Sequence, residues 1–204
     1  MAYVLGFFAA DGYITVNRRG GQFWCIQITD KKLLEQIREV IESEHKISIR
    51  IMNPNEKTLY RLQIGSIEMC DDLRRLGFSE RKTKSLVVPN IPQNYSSDFT
   101  RGYFDGDGNV WSGFVNSKRK TPTRILQVAF TSGSIEFLSG LLTLLKSEGV
   151  HGGSIYRSKI KKFGRLSFGT KDALKLYEIM YNMPHKLYLK RKKLIFEKFI
   201  KMRP

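Results

Sequence analysis

Apolar and polar positions follow the same order in the two halves of the chain. An alternating run that ends at Ile26-Gln27-Ile28-Thr29 matches one that ends at Val128-Ala129-Phe130-Thr131, and such alternation is typical of half-buried strands. In each half the run is followed by an amphipathic helical pattern, a strand-like stretch and a second helical pattern. These are predicted over 31–44, 48–64 and 67–76, and again over 135–148, 154–168 and 171–181.

A repeated segment precedes each alternating run. Leu5–Gly12 and Arg101–Gly108 both read x-Gly-aromatic-Phe-x-small-Asp-Gly, and their Asp-Gly ends lie 96 residues apart. Read as helices that end at Asp-Gly, they complete the order α-β-β-α-β-β-α twice, which predicts the α+β class. Turn residues and low charge predict a linker over 89–98, between halves at 1–88 and 99–204.

Small residues spaced four apart predict that the two repeated helices pack together. Gly6 and Ala10 form one such pair and Gly102 and Gly106 the other, and small residues let helix backbones approach closely. Asp11 and Asp107 would then meet at adjacent helix C-termini, which already carry partial negative charge. A divalent cation would relieve this conflict, and oxygen ligands suit Mg²⁺. Two carboxylates on a basic chain therefore suggest metal-assisted phosphodiester hydrolysis.

Charge supports a polyanionic partner. The 204 residues contain 35 Lys or Arg and 19 Asp or Glu, a net charge of +16. Residues 1–96 carry a net +3 and residues 97–204 a net +13, so the halves would contact a polyanion unequally. Two cysteines are too few for a disulfide framework. The sequence also has no apolar run of membrane-spanning length. From both observations we expect an intracellular protein.

The duplicated segment resembles the motif of single-chain LAGLIDADG homing endonucleases, with its letters on Val4–Gly12 and Thr100–Gly108. The resemblance implies two pseudo-symmetric αββαββα halves, with motif helices at the interface and curved antiparallel sheets forming a DNA-binding saddle. It places the catalytic metal ligands on Asp11 and Asp107, with no backbone ligand assigned at position 10. Ala9 departs from the family by replacing the first acidic letter of the first motif, a mostly structural position.

The resemblance also implies a basic residue near each scissile phosphate. By repeat order these are Lys82 and Lys190, with Lys84 and Lys192 as close alternatives, and a plain phosphate contact is an equal possibility. A polar residue after the first hairpin often helps to bind water at the metal site. Asp30 and Ser132 occupy these positions, and helix N-capping is the preferred interpretation of both.

Strand alternation predicts which side chains face DNA. Ile14, Val16, Trp24, Ile26 and Ile28 are predicted core in the first half, as are Val110, Ser112, Phe114, Leu126, Val128 and Phe130 in the second. The opposite faces include Cys25 and Trp111. The predicted DNA-binding residues lie on these faces, on further strands and at hairpin tips: Thr15, Asn17, Arg18, Arg19, Gln27, Arg50, Arg61, Gln63, Ser117, Lys118, Arg119, Lys120, Gln127, Lys159, Lys161 and Lys162.

Together these features predict a monomeric, Mg²⁺-dependent endonuclease that makes double-strand breaks in a long DNA target, with Ca²⁺ supporting binding without cleavage. The resemblance implies mobility of an intron or intein. The alternative is a non-catalytic binder of the same fold, either a maturase bound to intron RNA or a DNA-binding regulator. A basic protein without sequence preference is a third possibility.

Overall fold

The computed structural model describes residues 1–50, 57–80, 85–116, 120–160 and 162–202. Its elements confirm the predicted order in both halves, and a C-terminal helix follows the second half. The first half comprises α1 (Ala2–Asp11), β1 (Gly12–Val16), β2 (Gln22–Ile28), α2 (Lys31–Val40), β3 (Ile47–Arg50), β4 (Leu59–Gly65) and α3 (Ile67–Arg75). The second comprises α4 (Ser96–Asp107), β5 (Gly108–Val115), β6 (Thr123–Ser132), α5 (Ile135–Ser147), β7 (Ser154–Arg157), β8 (Gly164–Phe168), α6 (Thr170–Tyr181) and α7 (Lys190–Lys201).

Each half contains one four-stranded antiparallel sheet. The strand orders are β1-β2-β4-β3 and β5-β6-β8-β7, so the sheets share one topology. The inner faces bury the large apolar side chains, among them Trp24 and Ile26 in the first half and Val128 and Phe130 in the second. The fold is therefore the predicted α+β arrangement of two similar halves. The limits of the halves and of the linker at 89–98 stay predictions, and α4 begins at Ser96.

Side-chain caps determine where three helices begin. The carboxylate of Asp30 accepts a 3.0 Å hydrogen bond from the Leu33 amide at the start of α2. Ser66 caps α3 and Ser134 caps α5 in the same way. The cap prediction is therefore right for Asp30 and wrong for Ser132, whose hydroxyl instead accepts from the Ser134 amide. A capping side chain must lie directly before the first turn, and Ser134 occupies that position.

The helices α1 and α4 pack backbone against backbone. A Cβ atom added to Gly6 would lie 2.0 Å from the carbonyl oxygen of Phe99, and one added to Gly102 would lie 2.0 Å from that of Tyr3. The predicted close approach is confirmed, and the two glycines have reciprocal roles in it.

The glycines after the motif acids are required by packing and not by an unusual backbone conformation. Gly12 and Gly108 have φ of −87° and −86°, which is extended backbone open to any residue. A Cβ added to Gly12 would lie 2.0 Å from the Phe8 ring, and one added to Gly108 would lie 2.3 Å from the Phe104 ring. Glycine is needed here because an aromatic side chain fills the space.

Three predicted burials are wrong, and each has a local cause. Val16 is 49% exposed because it ends β1 at a hairpin, and Phe114 is 62% exposed near the end of β5. The Arg124 guanidinium packs over the Phe114 ring there. Cys25, predicted to face outward, is fully buried in β2 between two neighbouring strands. In the described part of the chain no helix is long and apolar enough to span a membrane.

Candidate metal centre and nucleic-acid interface

The two motif acids lie at the ends of the interlocked helices. Asp11 is the last residue of α1 and Asp107 the last of α4. A Cβ added to Gly106 would lie 3.0 Å from Asp11 Oδ2 and 2.3 Å from the Cβ of Ala10, so the two helix ends are in contact. Asp11 is half-buried and Asp107 is exposed. Both carboxylates lie close enough to raise the pKa of the Lys192 amine, against the larger lowering by burial.

A cavity of about 250 Å³ opens beside Asp11 and is shared by the two halves. Gln27 and Asp30 line it from the first half, and Gly106 and Arg191 line it from the second. Asp105 also lines it, so the cavity combines three carboxylates, those of Asp11, Asp30 and Asp105, with one guanidinium. Sequence reasoning missed Arg191, although its place between two candidate lysines was a usable signal.

These residues fit a hard divalent cation with an incomplete protein ligand set. No group of three or more His, Cys, Asp or Glu residues that could hold a metal occurs among the described residues. The acids at the two helix ends would thus supply two carboxylates, and water or phosphate oxygens would complete the coordination, as Mg²⁺ commonly accepts.

Asp105, two residues before Asp107, is a structural acid. It is 2% exposed, and its Oδ2 accepts hydrogen bonds from the Tyr3 hydroxyl at 2.7 Å and the Leu189 amide at 2.8 Å. Burial raises the pKa of the Asp105 carboxyl, and the hydrogen bond from Tyr3 opposes this. Asp105 thereby joins α4 both to α1 and to the residue before α7.

The two candidate lysines of the second half have different environments. Lys190 is the exposed first residue of α7. Lys192 is 5% exposed, and its ammonium donates to the carbonyls of Phe104, Asp105 and Gly108 at 2.6, 2.8 and 2.6 Å. Three short bonds use the three donors of an ammonium group. Lys192 is thus committed to the backbone, whereas Lys82 and Lys84 lie outside the described residues.

Strand register places five predicted contact residues on one face of the first sheet. Directly paired residues share a face, and so do residues two apart along a strand. Gln27 pairs with Arg61, and Arg61 pairs with Ser48. By this register the outer face carries the following predicted residues: Thr15, Gln27, Arg50, Arg61 and Gln63.

The hairpin between β1 and β2 presents Asn17, Arg18 and Arg19, all of which are exposed. The Asn17 side-chain oxygen accepts from the backbone amides of Arg19 at 2.9 Å and Gly21 at 2.8 Å. Asn17 therefore shapes the turn with its carbonyl group, and only its NH₂ group can serve in base recognition. The two arginines are exposed at the tip, where phosphate contacts were predicted.

The outer face of the second sheet carries exposed Trp111 paired with exposed Gln127. Register adds Arg165 and Tyr156, which pair with each other and are also exposed. Sequence reasoning missed both. The usable signal in β8 was the alternation of Gly164, Arg165 and Leu166, which places the charged residue on the opposite face from its two neighbours. Lys120, Lys159 and Lys162 are exposed, and the remaining candidates lie outside the described residues: Ser117, Lys118, Arg119 and Lys161.

The duplicated motif, the paired sheets and the acids at the helix ends define a two-motif protein of the homing-endonuclease fold. A family model described as "LAGLIDADG-like domain" matches residues 1–77 and 94–182. The chain belongs to this family.

Two solved structures have the same fold. The homing endonuclease I-DmoI in complex with DNA and Mn has a TM-score of 0.61 and 14% identity, over 90% of this chain and 97% of that one. I-SmaMI, bound to an uncleaved DNA target in the presence of calcium ions, has a TM-score of 0.61 and 13% identity, over 100% of this chain and 93% of that one.

A curated relative shows more sequence similarity over a shorter region. The chain is 34% identical over 131 residues to the probable translation initiation factor IF-2 of Thermococcus kodakarensis. The match covers 59% of this chain and 10% of the relative. This chain thus corresponds to a small part of that longer protein.

Proposed function

We propose that this protein is a site-specific homing endonuclease that hydrolyses both strands of a long DNA target with Mg²⁺. The observation that carries the proposal is the meeting of Asp11 and Asp107 at the contacting ends of α1 and α4. Each half contributes one acid and one outer sheet face. A single chain with this internal symmetry can act on both strands as a monomer.

Asp11 and Asp107 would hold the cations, with Gln27 and Asp30 around the Asp11 side. A bound divalent cation would supply Lewis-acid stabilisation of the charge that develops on the phosphate. Lys190 and Arg191, both exposed at the start of α7, would attract and orient the phosphate beside the Asp11 cavity.

Target recognition would use the outer faces of both sheets. Arginine pairs with guanine and glutamine with adenine in the major groove, which suits Arg61, Gln63 and Gln127. Exposed Trp111 offers an apolar contact for thymine methyl groups. The cations at the hairpin tips would bind phosphates and set the register of the duplex.

The cation preference is supported by donor chemistry and by relatives. The structure of I-DmoI with DNA and Mn, and that of I-SmaMI with uncleaved DNA and calcium, show divalent ions alongside DNA in this fold. For this chain we propose Mg²⁺ as the catalytic ion, with Ca²⁺ supporting binding without cleavage.

The test is a selection from duplex DNA pools in Ca²⁺, followed by transfer of the enriched sequences to Mg²⁺. The wild type should cut both strands of one long site, whereas Asp11→Asn and Asp107→Asn should bind it in Ca²⁺ without cutting. Asp72→Asn is the matched control, because Asp72 lies on the exposed side of α3 and pairs there with Arg75.

Two outcomes would contradict the proposal. Cleavage that persists in both motif-acid variants would remove Asp11 and Asp107 from the reaction. Enrichment without cleavage by the wild type would favour a DNA-binding regulator or an RNA maturase, and structured intron RNA would be the next ligand tested.

A further inference from the structure

The start of α7 has a charge pattern that its own helix disfavours. Lys190, Arg191 and Lys192 occupy its first turn, which contains no acidic residue, and the N-cap residue Leu189 has no side chain that could cap it. A helix N-terminus carries partial positive charge, so three cations there are locally unfavourable. Such a conflict calls for a compensating interaction elsewhere in the fold.

The compensation comes from the C-terminus of α4. The last carbonyls of a helix form the negative end of its dipole, and most of them have no partner within the helix. In α4 the carbonyl of Phe104 also accepts a hydrogen bond from the Gly108 amide. The Lys192 ammonium donates to the carbonyls of Phe104, Asp105 and Gly108, and it lies 3.4 Å from that of Gly106. Its Nζ also lies 5.0 Å from the centroid of the Phe104 ring.

The carbonyls that bind Lys192 belong to residues on both sides of Asp107 along the chain. Two of them precede Asp107 and Gly108 follows it, so the backbone that carries this motif acid is held on both sides by one cation. Burial lowers the pKa of the Lys192 amine to about 8, and the nearby acids Asp105, Asp11 and Asp107 oppose this. The three carbonyl acceptors around Nζ require the three donors of an ammonium group, so this arrangement holds the protonated form.

We propose that Lys192 is a positioning residue of the metal centre, which fixes the Asp107 end of α4 through backbone hydrogen bonds and offsets its negative charge. It acts through Asp107 and does not contact DNA phosphate, because its donors are already used. This inference rests on the proposed function for its catalytic consequence, but the positioning itself is independent of it.

The test compares Lys192→Met with Lys198→Met, a charge-matched change at an exposed position of the same helix. Hydrogen exchange without metal follows the backbone amides of 103–110. We expect exchange there to become at least about tenfold faster in Lys192→Met and to stay unchanged in Lys198→Met, because local opening governs the rate. Unchanged exchange in Lys192→Met would overturn the proposal.

A second readout follows the metal alone. Bound Mn²⁺ is counted by electron paramagnetic resonance on folded protein, with Asp107→Asn as reference. Loss of a residue that orients a metal ligand typically weakens affinity about 10- to 100-fold, which is the effect expected for Lys192→Met. The double variant Lys192→Met with Asp107→Asn should bind Mn²⁺ as tightly as Asp107→Asn alone. A residue with a purely structural role would lower the melting temperature without changing Mn²⁺ affinity in the folded state, and this result would overturn the proposal.

A misfolded variant and a failure of the proposed function can each be distinguished from a failure of the Lys192 proposal. Should Lys192→Met not fold, Lys192→Gln keeps an amide donor and is subjected to the same two measurements. A wild type that neither binds Mn²⁺ nor cuts its selected DNA would overturn the proposed function, while the exchange comparison would still decide whether Lys192 holds the end of α4.

Discussion

The Tyr3 hydroxyl on α1 donates a 2.7 Å hydrogen bond to the Asp105 carboxylate on α4, and both side chains are buried. The residues 96 positions away in the repeat are Phe99 and Ala9, also buried. The positions of the buried polar pair are therefore occupied by two buried apolar residues in the other half of the repeat. The loss of the acidic letter at Ala9 is matched by the loss of a hydroxyl at Phe99.

We predict that this polar pair is energetically coupled. Tyr3→Phe should lower the free energy of unfolding by about 1–3 kcal/mol, because it removes a donor from a buried carboxyl. Asp105→Ala should also destabilise, and the double variant should lose less than the sum of both, because each single change already removes the shared hydrogen bond. Urea unfolding measures all three, with Tyr95→Phe at an exposed tyrosine as control. Strict additivity would show that the pair is not coupled.

Close helix packing leads to a second prediction. Gly6→Ala should lower the free energy of unfolding by about 1–3 kcal/mol or more, because its new methyl group would meet the rigid carbonyl of Phe99. Gly169→Ala is the control, since nothing beyond its chain neighbours lies within 4 Å of the added carbon. Gly169 is the N-cap residue of α6, where alanine caps less well, so denaturant titration should show a loss of at most about 1 kcal/mol in this control. Equal effects in the two variants would mean that helix contact does not explain the glycine.

Asp30 allows its capping role and a metal-site role to be separated. Asn caps helices about as well as Asp, so Asp30→Asn should leave the unfolding free energy within about 0.5 kcal/mol of the wild type. Because Asp30 also lines the cavity beside Asp11, the same change should slow cleavage about 10- to 100-fold. Asp30→Ala should lose stability as well as activity. Full activity in Asp30→Asn would leave capping as the only function of this residue.

The exposed lysines near the β7–β8 turn should make DNA affinity depend on salt. Replacing Lys159 or Lys162 by Gln should each reduce the slope of log K against log salt by about 1, because one phosphate contact is lost. Fluorescence anisotropy at several salt concentrations measures this slope. Lys146→Gln, at an exposed position of α5 away from the sheet, should leave it unchanged. An equal reduction in that control would indicate a general charge effect.

Arg165 should contribute to sequence preference rather than to general affinity. It is exposed on the outer face of β8, where a guanidinium can bind guanine with two hydrogen bonds. Arg165→Ala should therefore relax selection at one base pair by about 1–3 kcal/mol and leave the other positions unchanged. Repeating the pool selection with the variant tests this. A uniform loss across all sequences would identify Arg165 as a phosphate contact.

The sequence by itself determined the order of elements, the duplication and the positions of Asp11 and Asp107. These features depend on local periodicity and on a motif that occurs twice, so they are visible without knowledge of distant contacts. The caps of α2 and α3 are local in the same sense, since a capping side chain binds an amide three residues away.

Only the tertiary structure decided how deeply each side chain lies and what it contacts. Alternation predicts which face of a strand a side chain is on, but not whether other residues pack over it. For this reason exposed Val16 and buried Cys25 were both assigned wrongly. The pairing of β2, β3 and β4 brought Gln27 and Arg61 to one face. In sequence Lys192 was an alternative candidate for the basic residue near a scissile phosphate, but its partners are backbone carbonyls 84 to 88 residues away. Its role follows from the meeting of two helix ends, which local sequence does not encode.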